Sequence, residues 1–72
     1  MNEFTAIIWV DDERMENGGY YEPMTIKAAD LHSAVKVAES ICKMSMRHTR
    51  QFVECGSKMT AQEWEDWLKA CA

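Results

Sequence analysis

Apolar residues recur with a helical period in one long stretch, Asp30 to Arg47, and the rest of the chain is organised around it. Advancing about 100° per residue from Leu31 gathers Leu31, Ala34, Val35, Ala38, Ile41 and Cys42 on one arc, with Met46 at its edge. That arc is the expected buried face. The opposite arc carries His32, Ser33, Lys36, Ser40, Lys43 and Arg47, with Glu39 in reach of both lysines. Asp30 suits the N-cap, because its carboxylate accepts from first-turn amides that find no partner inside the helix.

Elsewhere the pattern has the period of a strand. Phe4 to Val10 is rich in β-branched and aromatic residues, and both of its faces are apolar: Phe4, Ala6, Ile8 and Val10 on one, Thr5, Ile7 and Trp9 on the other. Such a strand belongs at the centre of a sheet, with the 30–47 helix on one side and the C-terminal segment or a second subunit on the other. Asp11 to Gly19 reads as a hairpin turn, Asn17-Gly18-Gly19 supplying the positive φ of a tight connection. The return strand, Tyr20 to Ala28, puts Tyr20, Met24, Ile26 and Ala28 on one face and Tyr21, Thr25 and Lys27 on the other, and Pro23 places its start at a sheet edge. His48 to Cys55 reads as a third strand of weaker alternation, ended by Gly56-Ser57. Thr60 and Glu63 then match a capping box, and Trp64, Trp67, Leu68 and Cys71 make a narrow apolar stripe on a short helix that needs something to dock on. The order is ββαβα: one α+β domain over residues 1–72, with a small antiparallel sheet of about three strands and two helices.

Length and charge refine this picture. At 72 residues the apolar core is close to the smallest that holds a fold unaided, so a homodimer or a covering partner is a reasonable expectation. Three cysteines without a CxxC spacing point to free thiols and a reduced, cytoplasmic protein. No run approaches the ~20 apolar residues of a membrane span, and the N-terminus has no secretory pattern. Net charge is −4, but it is segregated: residues 1–30 hold seven acids and two bases, residues 31–59 two acids and five bases, and residues 60–72 three acids and one base.

Candidate chemistry is thin. Ile7 to Glu13, an apolar strand ending in paired acids, resembles the first strand of response-regulator receiver domains over about seven residues. That family also needs a further strand-end Asp some forty residues on, and no Asp stands between Asp30 and Asp66, so the plain acidic loop is the better reading. Asp11, Asp12, Glu13 and Glu16 lack the regular spacing of a calcium loop. The cysteines and His32 and His48 form neither a nucleophile with its base nor a zinc set. No cofactor or metal is expected, and no catalysis.

Two surfaces remain as candidates. The first is the acidic hairpin: Asp11, Asp12, Glu13, Glu16 and Glu22, with Tyr20 and Tyr21 adding contact area, facing a basic, nucleic-acid-binding surface of a protein partner. The second is a basic band of Lys36, Lys43, Arg47 and Arg50 that could touch phosphates directly. In size, acidity and ββα layout, though through no shared motif, the chain resembles the small phage-encoded proteins that block host defences, anti-CRISPR inhibitors among them. That resemblance implies a non-enzymatic inhibitor or adaptor acting by protein contact.

Overall fold

The computed structural model describes residues 1–44 and 49–71. Among these, three strands and two helices follow in the order β1 (Asn2–Asp11), β2 (Gly19–Ala28), α1 (Leu31–Lys43), β3 (Arg50–Ser57) and α2 (Ala61–Cys71). The sheet is antiparallel throughout with strand order β2-β1-β3, so the strand with two apolar faces is the central one. The edge position expected for Pro23 is that of β2.

Register assigns the two faces. Phe4, Ala6, Ile8 and Val10 share a face with Ile26 and Met24 from β2 and with Phe52 and Cys55 from β3. α1 lies on this face through Ala34, Ala38 and Cys42. These are small residues at four-residue spacing, and opposite them stands another, Ala6, so the helix backbone can approach the sheet closely. Ala6, Ile8, Ala34 and Ala38 are each 0% exposed. The Asp30 cap forms as expected, its Oδ1 accepting from Ser33 N at 2.8 Å.

Thr5, Ile7 and Trp9 face the other way, alongside Thr25 and Tyr21 of β2 and Glu54 of β3. α2 covers that side. Its capping box is reciprocal: Thr60 N donates to Glu63 Oε1 at 3.0 Å, and Glu63 N donates to Thr60 Oγ1 at 3.1 Å. Just ahead of the helix, Met59 N donates to the buried Thr5 hydroxyl at 2.8 Å. No residue of α2 is buried, in contrast with α1.

Four expectations are corrected. α1 ends at Lys43 with Met44 as its C-cap, and the remainder of the stretch expected to be helical, up to Met46 and Arg47, lies outside the described residues except for that cap. Leu31 is 45% exposed instead of buried, because contact with the sheet starts one turn later at Ala34. β3 runs from Arg50 through Gly56 and Ser57, two residues later than expected, and His48 lies outside the described residues. A β-bulge explains the weak alternation there: pairing passes from Ile8↔Phe52 to Ile7↔Glu54, which leaves Val53 as the extra residue and brings Phe52 and Cys55 to one face despite their odd spacing. Finally, of the two turn glycines Gly18 alone takes a positive φ, +87°, whereas Gly19 is the first residue of β2.

Gly19 has a different reason to be glycine. A Cβ there would stand 2.2 Å from the Val10 carbonyl oxygen and 2.7 Å from the Trp9 ring, so the indole lies directly on the backbone of residue 19. No helix among the described residues is long and apolar enough to cross a membrane.

Candidate partner-binding site

The hairpin between β1 and β2 is short and internally bonded. Asp12 N donates to Gly18 O at 2.9 Å, Met15 N to Asp12 O at 3.0 Å and Gly18 N to Met15 O at 3.1 Å, so the loop is two linked turns. A further bond from Asp11 N to Thr49 O, 2.7 Å, ties its base to the start of β3.

Within it the acids have different surroundings. Asp12 accepts at Oδ1 from the Arg14 backbone amide and from Arg14 Nε, both at 3.0 Å, and at Oδ2 from Arg14 Nη2 at 3.1 Å. These bonds hold the Asp12 carboxyl below the ordinary aspartate range and push the Arg14 guanidinium up. Asp12 is thus matched by a base of its own loop. Asp11 Oδ1 accepts from the Trp9 indole Nε1 at 2.7 Å, which fixes the ring. Glu13 and Glu16 are exposed at the loop tip.

The aromatic and acidic residues that follow are divided between the faces. Tyr20, 41% exposed, and the half-buried Glu22 lie on the α1 side opposite Val10 and Ile8. Tyr21 lies on the α2 side, with its ring centroid 4.8 Å from that of Trp9 and 4.9 Å from that of Trp67. The seven residues singled out from the sequence therefore meet at one end of the molecule but not on one face. An open groove of about 710 Å³ on that end is lined by Val10, Asp11, Asp12, Glu13, Arg14, Tyr20 and Thr49.

The basic alternative is more dispersed. Lys36 and Lys43 are exposed on α1, Arg50 is exposed where β3 begins, and Arg47 lies outside the described residues. Cys42 and Cys55 have thiols pushed up by burial, the opposite of what a nucleophile or a metal ligand needs. Among the described residues, no group of three or more His, Cys, Asp or Glu is arranged around a common point as metal ligands would be.

Sequence reasoning missed the aromatic column on the α2 side. Trp9, Tyr21 and Trp67 meet edge to face, Trp64 stacks on Trp67 at 5.6 Å with the planes 6° apart, and Trp67 Nε1 donates to Glu54 Oε1 at 2.5 Å. A signal for it was present in the alternation, since Trp9 shares the strand face that α2 must cover. Comparison of the chain with protein-family models, with characterised proteins and with solved structures finds no match.

Proposed function

We propose that the chain is a non-enzymatic protein-binding inhibitor or adaptor that sets its acidic hairpin against a basic, nucleic-acid-binding surface of its partner. One observation supports this above the others: exposed Glu13 and Glu16 ride on a loop braced by three backbone hydrogen bonds and by the Asp12–Arg14 pair. Charges held in place before contact cost less entropy to order on binding, and they steer an oppositely charged partner during approach. The setting this fits is that of the small phage-encoded inhibitors, anti-CRISPR proteins included, which the chain resembles in size and acidity. The free thiols of Cys42, Cys55 and Cys71 suit the cytoplasm in which such a protein would act.

The test compares the wild-type chain with Glu13→Gln/Glu16→Gln, both immobilised and exposed to the same bacterial lysate, with retained proteins identified by mass spectrometry. Nucleic-acid-binding proteins should be held by the wild type, released by salt, and held about tenfold less by the variant. Equal retention by the two would remove the hairpin from the reading. Exposed Lys36 and Lys43 on one helix support the second reading, direct nucleic-acid contact. Retention of nucleic acid itself, lost with Lys36→Gln/Lys43→Gln, would favour it.

A further inference from the structure

A second groove, of about 320 Å³, opens between the hairpin and the C-terminal half of α2. The Trp9 ring lines it with Met15, Tyr21, Leu68 and Cys71, and the edge of β2 at Gly19 and Tyr20 and the loop residue Asn17 complete it. We infer that this groove receives a bulky apolar side chain from the same basic partner that the acidic hairpin contacts, so that one polypeptide segment with an apolar anchor between lysines or arginines spans both. The inference rests on the proposed function and specifies what its partner must present.

Three features of the groove support a docking role. Its Trp9 ring is held rigidly, because the indole lies against the Gly19 backbone, donates to Asp11 and packs edge to face on Tyr21. Its walls are mostly apolar, with Asn17 the polar exception, and incompletely covered: Met15 is 43% and Leu68 37% exposed. α2 carries an apolar stripe of which Trp67 meets Tyr21 while Leu68 and Cys71, farther along, remain exposed. The available space suits one or two side chains and falls near the lower limit of roughly 300 Å³ for a small-molecule pocket.

Charge selects the occupant. The hairpin bordering the groove, residues 11–19, has four acids and one base, and α2 has three acids, Glu63, Glu65 and Asp66, against one base, Lys69. A second copy docking the same face across a two-fold axis would bring two acidic hairpins into one interface without a matching excess of base. A Lys/Arg-flanked anchor meets opposite charge at the rim and apolar surface at the centre, the usual arrangement of a protein interface.

Synthetic peptides of equal length make suitable probes: one rich in Lys and Arg with a central Phe, the same peptide with Ser in place of Phe, and an acidic peptide with the Phe retained. Trp9 lies in the groove, so binding is read from tryptophan emission. The basic Phe peptide should bind about tenfold more tightly than its Ser counterpart, and that advantage should vanish in Met15→Ser/Leu68→Ser. Glu13→Gln/Glu16→Gln should weaken both basic peptides alike and leave the Phe advantage in place. Equal binding of the Phe and Ser peptides, or an advantage that survives Met15→Ser/Leu68→Ser in a folded variant, overturns the groove and leaves the hairpin reading standing. Binding of the acidic Phe peptide as tight as that of the basic one, unchanged by Glu13→Gln/Glu16→Gln, overturns the hairpin reading instead. Self-association of the chain that Leu68→Ser abolishes would assign the groove to a second copy and overturn the inference.

Discussion

The two faces of β1 are covered by helices in different ways. Under α1 the contact is made by small and aliphatic side chains that are almost fully removed from water, Ile8 and Ala38 among them. Under α2 the strand side is buried too, at Thr5 and Ile7, but the helix side consists of half-buried aromatic rings and directional bonds, Trp67 to Glu54 and Met59 to Thr5, and no helix residue is buried. The first face gains stability almost entirely from area removed from water, whereas the second adds to the buried Ile7 a share that depends on directional geometry around partly wet groups. The more open face is also the one that carries the aromatic groove, so the surface available for recognition lies where the core is thinnest.

The largest effect should come from the closely packed side. Ile8→Ala removes a side chain that is 0% exposed between α1 and the sheet, and should cost about 3 kcal/mol. A domain of this length has a total stability of roughly 4 to 11 kcal/mol, so the variant should be marginal or unfolded in urea titrations that leave the wild type intact. A loss under about 1 kcal/mol would mean that the α1 face is not the main source of stability.

On the α2 side the sharper probe is Thr5→Val, which keeps shape but takes the acceptor from Met59 N–H and should cost about 1 to 2 kcal/mol. All three tryptophans, Trp9, Trp64 and Trp67, belong to this side, so their emission reports on it alone while circular dichroism reports on the whole fold. The fluorescence midpoint of Thr5→Val should fall further than the dichroism midpoint. If the two fall together, the faces melt as one unit and the contrast drawn above does not extend to stability.

The sequence made the α1 face legible because burial there follows from period alone. Three of the six residues on the predicted helical arc, Ala34, Ala38 and Cys42, are buried, and the two-sided pattern of Phe4 to Val10 required the central position that β1 occupies. The Thr60–Glu63 box was equally readable, since a capping box is local chemistry at fixed spacing. The third strand was displaced by two residues because Val53 interrupts the alternation on which such readings depend. At the hairpin, the sequence supplied the acids but not their surroundings. The separation of Tyr20 from Tyr21 was already readable from the alternation, whereas the clasp of Arg14 on Asp12 follows from the turn geometry, which groups side chains differently from a run of letters.

The smallest predicted effect lies at the start of α1, and pH makes it specific. Ser33 N–H donates to the Asp30 carboxylate, which holds that group below the ordinary aspartate value of 3.8. Because the folded-state value lies below the unfolded one, the stabilisation is fully present above 3.8 and is lost as pH falls from there through the lowered folded value. Asp30→Ala should therefore melt below the wild type at neutral pH, and the gap should close progressively once the pH drops beneath 3.8. Melting followed by circular dichroism across that range measures the gap, and melting followed by tryptophan emission asks whether it reaches the other side. A gap that stays constant with pH would show that residue 30 contributes through its extended backbone and not through its charge. A gap confined to dichroism would mean that loosening the cap of α1 leaves α2 in place, so that the face holding the groove keeps its shape while the opposite helix frays.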